Sequence, residues 1–198
     1  MLKMRDGSRA ELNRYYSSLE MDFDERELIP RQNLLRALSQ GKAAFHMFYD
    51  DETNIELGYA LCLTKSVYGY VLLKYFDILP WYRERGVGVE AMRLLHKHYA
   101  DRQGILAELT VFDDGDSGDY LRKLKRFFAR FGYVEVPCDY RIGGAEVYLT
   151  AKPIKGTAEL RPIAPRLLAD LYSRCLTAAQ MQKMLSFRAR RPDSEQKG

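Results

Sequence analysis

The sequence predicts a single α/β domain: a mixed, mostly antiparallel central sheet with helices on both faces, extended by a C-terminal helical segment. Three observations carry that prediction. The hydrophobic period changes from helical to two near residue 43 and stays strand-like through three successive segments. Residues 70–112 then read strand, glycine loop, amphipathic helix, strand, the order of a crossover unit with two parallel strands. From Ile154 the composition shifts to helix formers interrupted by Pro162 and Pro165.

A short helix is expected over residues 10–19, followed by the acidic stretch 20–27. Pro30 opens a second helix, because proline is tolerated in a first turn, and Leu34, Leu35 and Leu38 form its apolar stripe up to Gly41. Strands follow at 43–49, 55–63 and 70–79, expected as successive partners in an antiparallel meander, with a polar turn at 50–54. Pro80 ends the third strand, and a helix runs from the glycine loop to about residue 100. Val89, Met92, Leu95, His96 and Tyr99 share one face of it. A strand at 105–112, an acidic loop at 113–119 and a helix at 120–131 stopped by Gly132 come next. The closing strands are 133–136 and 145–151, with Gly143-Gly144 as a turn between them. Two helices are expected near 165–175 and 177–187, the second capped by Thr177, and the residues from 190 onward read as disordered. This divides the chain into a main domain at 1–153, a helical extension at 154–189 and a tail at 190–198.

The totals exclude several classes. With 46% hydrophobic and 29% charged residues, the 198-residue chain has the balance of a folded globular protein. The net charge of +4 is small, and part of it sits in the tail at Arg188, Arg190, Arg191 and Lys197, which argues against a nucleic-acid partner. Cys62, Cys138 and Cys175 have neither metal-like nor redox spacing and read as reduced, small hydrophobes. No apolar run is long enough to cross a membrane, and the first residues lack the apolar stretch of a secretory signal, so cytoplasm is the expected location.

The chemistry centres on Arg83-Glu84-Arg85-Gly86-Val87-Gly88, placed between a strand and a helix. Glycines at such a junction admit backbone conformations closed to other residues. The N–H groups and positive dipole end of the helix then make an anion site, to which Arg83 and Arg85 can add charge-assisted contacts.

In this context the chain resembles the GNAT superfamily of N-acetyltransferases. Arg83 to Gly88 matches the family's coenzyme motif Q/R-x-x-G-x-G/A in type and position, and Asp77-Ile-Leu-Pro-Trp-Tyr82 resembles its V-x-P-x-Y-R lead-in. Downstream, Phe127-Phe-Ala-Arg-Phe-Gly-Tyr133 is similar to F-Y-x-K/R-x-G-F/Y. The match looks closest to bacterial members with an acidic early stretch and a basic run such as Arg122-Lys-Leu-Lys-Arg126.

The resemblance implies a GNAT-like fold and acetyl-CoA as co-substrate. A V-shaped gap would separate the strand before the loop from the one holding Glu108. The pantetheine arm would pair with main chain around Ile78 and Leu79, and an N–H near Leu79 would polarise the thioester carbonyl. Gly86, Val87, Gly88 and Val89 would bind pyrophosphate, and a neutral amine would attack directly. One departure stands out: the tyrosine that often protonates the leaving thiolate is Phe128 here, which has no proton to give. Tyr120 and Tyr140 are stand-ins by neighbourhood, with structural roles as the plainer reading of each.

Glu108, in an otherwise apolar strand, is the candidate base, since burial raises a carboxylate's proton affinity; the equal alternative is that it faces solvent or pairs with Lys74 on the adjoining strand. The acidic segments 20–27 and 113–119 would favour a small cationic amine acceptor, or else are solvated surface loops. The C-terminal helices are candidates for capping the sheet, forming a homodimer or covering the acceptor site. No metal site is expected: His96 and His98 point to different helix faces, and the aspartate loop lacks a calcium loop's closing glutamate. The rival reading keeps the fold but makes it a coenzyme-binding or regulatory module in which Phe128 marks lost catalysis.

Overall fold

The computed structural model describes residues 1–111, 117–155 and 159–187. Its strands are β1 (Leu2–Asp6), β2 (Ala43–Asp50), β3 (Glu56–Leu63), β4 (Tyr70–Ile78), β5 (Gly104–Val111), β6 (Val134–Glu135), β7 (Tyr140–Ile142), β8 (Ala145–Pro153) and β9 (Leu185–Phe187). Its helices are α1 (Arg9–Asp22), α2 (Arg31–Ser39), α3 (Val87–His98), α4 (Ser117–Ala129), α5 (Ala164–Ser173) and α6 (Ala178–Met184). The strands form one sheet in the order β1-β2-β3-β4-β5-β8-β7-β9, with β6 also paired to β8. Among the described residues only β4 and β5 run parallel, and α3 is the crossover between them.

The meander β2-β3-β4 is antiparallel as its alternation and short turns dictate. Each sheet face carries its own core. On one, Leu12, Leu19, Leu34, Leu72, Leu167 and Leu171 join α1, α2 and α5 to the strands. On the other, Val71, Met92, Leu95, Leu109, Phe128 and Tyr133 seat α3 and α4. A capping box of Ser8 and Glu11 starts α1, and a second of Thr177 and Gln180 starts α6, the cap expected at Thr177.

Several elements differ from the sequence reading. β1 pairs with β2 from Leu2↔Asp50 to Asp6↔His46, although its own residues alternate too weakly to announce a strand. The second C-terminal helix ends at Met184, and the next three residues form β9 against β7. α5 is part of the main core: Leu167, Leu168, Leu171 and Tyr172 are all fully buried. The expected acidic loop falls largely on residues 112–116, and the expected tail on 188–198, both outside the described residues. The three cysteines are unpaired. No helix among the described residues is long and apolar enough to cross a membrane.

Candidate active site

The parallel ladder between β4 and β5 runs only from Tyr70↔Gly104 to Leu73↔Ala107. Both strands continue beyond it. β4 stays paired with β3 as far as Gly58↔Ile78, and β5 with β8 as far as Val111↔Glu146. Each keeps its outer neighbour while the inner edges part, so a V opens in the middle of the sheet. The cause lies in β4: Leu61 faces Tyr75 and Cys62 faces Leu73, which leaves Lys74 without a counterpart on β3. That extra residue is a β-bulge, and bulges bend the strand that carries them.

The V opens onto a cavity of about 570 Å³, walled by Leu73, Phe76, Ile78, Ala107, Leu109 and Phe127. Strand alternation settles which main-chain groups face it. The Leu79 N–H donates to the Leu57 carbonyl at 2.9 Å, toward β3. The N–H of Ile78 is therefore turned the other way, into the V. Of the main-chain N–H groups expected around Ile78 and Leu79, the one facing the V is that of Ile78, and that of Leu79 is engaged with β3.

At the mouth of the V, a 3-10 turn over Pro80–Tyr82 leads into the glycine loop. Gly86 is the residue before α3 and has φ +79°, a left-handed conformation that favours glycine; Glu84 is also left-handed, at φ +63°. Val89 donates its N–H to the Gly86 carbonyl at 3.0 Å. The N–H groups of Val87 and Gly88 make no hydrogen bond among the described residues and sit at the positive end of the helix dipole. A Cβ on Gly88 would point into the cavity, 3.6 Å from Ile78 and 3.8 Å from Phe127.

Of the two loop arginines, Arg85 is exposed and forms no ion pair among the described residues. Arg83 is also exposed but is tied down by its partners. Its Nε donates to the Ile78 carbonyl at 2.7 Å, and its Nη2 lies 2.9 Å from Asp77 and 3.4 Å from Asp22 at the end of α1. Sequence reasoning missed Asp77, although it quoted the residue in the lead-in. Burial and the neighbouring Asp22 outweigh Arg83 and raise its carboxyl to about 6. Its Oδ2 is buried with no hydrogen-bond partner.

At the base of the V sits a buried ionic cluster. Lys74, the bulged residue, lies 3.0 Å from Glu108, the first residue of β5 beyond the ladder, and 3.8 Å from Glu27. Glu108 also accepts from the hydroxyls of Tyr140 at 2.8 Å and Tyr172 at 2.6 Å, while Glu27 accepts from Thr110. Burial alone would lower the proton affinity of Lys74, but Glu108, Tyr172 and Glu27 reverse this and hold it charged. Both tyrosines are raised well above their usual value, first by burial and then by Glu108. Of the two readings of Glu108, the structure thus contains the pairing with Lys74. With three donors on it, the carboxylate is anchored in this cluster, and it also lines the cavity.

Tyr140 is likewise committed to Glu108, whereas Tyr120, on the first turn of α4, is 63% exposed and lines the cavity. Phe128 also lines it and is otherwise buried against Phe127 and Tyr133. Part of the basic face of α4 is neutralised, Arg122 by Asp119 and Lys125 by Glu135, while Arg130 reaches the cavity wall. Tyr172 comes from α5, and its buried helical spacing with Leu168 and Leu171 was the only sequence signal for it.

The sequence matches no family model and no curated protein. Comparison with solved structures gives many matches. A GNAT-family acetyltransferase of Bacteroides thetaiotaomicron superposes with a TM-score of 0.67 at 15% identity, over 86% of this chain and 96% of that one. The spermidine/spermine N-acetyltransferase of Vibrio cholerae gives 0.58 at 11% identity, over 78% and 95%. The ribosomal-protein-S18-alanine N-acetyltransferase of Escherichia coli gives 0.56 at 13%, over 80% and 97%. Identities this low speak for the fold and not for the acceptor. These superpositions, each over more than three quarters of this chain, show that it has the fold of the GNAT N-acetyltransferases.

Proposed function

We propose that the protein is an acetyl-CoA-dependent N-acyltransferase that moves an acetyl group to the primary amine of a small cationic acceptor. The observation that carries this is the parting of β4 and β5 from Lys74 onward, with unpartnered helix-start N–H groups at the mouth of the gap. An extended pantetheine-like chain needs an unpaired strand edge, and a pyrophosphate needs donors at a helix start. The residues fit the coenzyme on both counts, and the cavity wall beside Gly88 has the room that a Cβ would fill.

Acetyl-CoA supplies the activated thioester. In this reading Val87 and Gly88 donate to pyrophosphate, with Gly86 shaping the turn and Arg85 and Arg130 adding positive charge. The apolar walls at Ile78, Phe76 and Leu109 exclude water, and the Ile78 N–H polarises the carbonyl. Asp77, tied at 2.9 Å to Arg83 on the cavity wall and with its carboxyl raised to about 6 by burial and Asp22, is the group best placed to take the proton of the attacking amine. Tyr120 gives a proton to the departing thiolate. Glu108 and Lys74 hold the V open. The carboxylates of Asp22 and Asp77 by Arg83, with Glu27 and Glu108 by Lys74, leave an excess of negative charge that favours a cationic acceptor.

Calorimetric titration with acetyl-CoA, beside a Gly86→Asp variant, tests the coenzyme site. Saturable binding that the variant loses supports it, and a folded protein that does not bind overturns it. Thiol release with a panel of polyamines and aminoglycosides then tests transfer. Binding without release for every amine would favour the binding-module reading, for which Phe128 is the motivating residue.

A further inference from the structure

Outside the cleft, at the opposite end of α3, three potential ligands from three different elements converge. Asp6 closes β1, His46 lies in β2 and His98 is the last residue of α3. Asp6 and His46 are direct cross-strand partners, and Asp6 Oδ1 stands 3.0 Å from His46 Nδ1. The His46 and His98 rings meet edge to face at 4.8 Å between centroids. One donor atom from each of the three residues lies within 4.8 Å of the others.

The second observation concerns His46 itself. The side chain is fully buried, yet its Nδ1 has no hydrogen-bond partner. Its other nitrogen, Nε2, is 2.7 Å from the Tyr99 hydroxyl. Nδ1 faces the Asp6 carboxylate at 3.0 Å without the alignment of a hydrogen bond, and His98 lies beside both. A cation held between them gives the buried nitrogen the partner it lacks.

We propose that Asp6, His46 and His98 form a binding site for a divalent transition metal of the zinc, cobalt or nickel type. Two imidazoles and one carboxylate are the donor set that such borderline ions take. A fourth position is left for water. Bonds of about 2.1 Å in tetrahedral geometry put donor atoms roughly 3.4 Å apart. The contraction from 4.8 Å falls to Asp6 and His98, both exposed and able to change rotamer. The hydrogen bond between Nε2 and the Tyr99 hydroxyl supplies the outer support that orients a metal-bound histidine. The site also lies at the C-terminal, negative end of the α3 dipole, which favours a cation. A metal there would fasten the edge strand β1 and the end of α3 to the sheet. Neither histidine spacing along the chain nor any motif announces the site, because its ligands are brought together only by the fold.

The test is calorimetric titration of tag-free, chelator-treated full-length protein with zinc, and with cobalt followed by visible absorption. One equivalent per chain is expected, with a rise in Tm and a visible cobalt band. Asp6→Asn and His98→Gln, both at exposed positions, should each weaken binding at least tenfold with the far-UV spectrum unchanged. Tyr99→Phe, which removes the outer support, should weaken it about 10- to 100-fold, and His96→Gln should leave it as it is. Absence of saturable binding would overturn the proposal, as would zinc affinity that His98→Gln and Asp6→Asn leave intact, because the metal would then lie elsewhere.

Discussion

The Lys74 ammonium and the Glu108 carboxylate meet at 3.0 Å where β4 and β5 stop being partners, each being the first residue of its strand past the shared ladder. Both side chains are sealed from water. Removing one member of a buried pair strands the other charge, at a cost of about 3–5 kcal/mol. Lys74→Met should therefore unfold at markedly lower urea concentration than wild type, and Lys74→Met/Glu108→Leu should recover much of the loss. A single variant as stable as wild type would mean that water reaches the pair.

Gly86→Ala should separate coenzyme binding from stability. A Cβ there meets no neighbour, so the stability cost is only the left-handed backbone, about 1–2 kcal/mol. Relaxing that strain reorients the Val87 and Gly88 N–H groups. A tenfold or greater rise in the Kd for acetyl-CoA, measured by calorimetry, is expected alongside a small change in Tm.

Asp77 gives a pH dependence of definite sign. A carboxyl held at about 6 is mostly protonated at pH 5 and ionised at pH 7. The kcat/KM should rise with pH through about 6, and Asp77→Asn should lose that limb with a rate about 100- to 10,000-fold lower. Stability moves the other way. The unfolded aspartate releases its proton near 3.8 and the folded one near 6, so the native state loses stability as pH rises across that window. Asp77→Asn should be more stable than wild type at pH 7 by about 2–3 kcal/mol, and equal to it near pH 3. Denaturant titrations at the two pH values check this.

Tyr120→Phe should lower kcat for thiol release and leave the Kd for acetyl-CoA unchanged, since the residue stands at the cavity mouth and packs little. An equal fall in both would assign it to binding.

Truncation before residue 164 should abolish folding. Leu167, Leu168 and Leu171 are fully buried, and losing each such side chain costs about 2–5 kcal/mol. Their sum reaches the whole stability of an ordinary domain, about 5–15 kcal/mol. Circular dichroism of the truncated chain gives the answer directly.

What the sequence revealed follows from where the stabilising information lies. The meander, α3 and the strand holding Glu108 were legible because each is long and periodic enough to declare its own face. β7 and β9 were not, since three-residue strands such as Tyr140–Ile142 and Leu185–Phe187 exist only by pairing, β7 with β8 and β9, and β9 with β7. β1 escaped for a similar reason, its partner β2 lying some forty residues away. The glycine loop showed itself through backbone needs that glycine alone meets. Asp77 did not, because its raised proton affinity comes from Asp22 and from burial, neither visible from local sequence. The partner of Glu108 was foreseen as an alternative, but the Tyr172 hydroxyl from a helix sixty-four residues further on was not.

The bulge at Lys74 has a genetic reading. The cleft exists because β4 carries one residue more than β3 can match, which is the length of one codon. Delete that codon and Tyr75 moves into step behind Leu73, so alternation along β4 is restored and its inner edge can zip onto β5. The same helices, glycine loop and outer strands would then enclose a continuous sheet with nowhere for a ligand to lie. A cavity in the middle of a sheet is, in this chain, the consequence of an odd residue count on one strand.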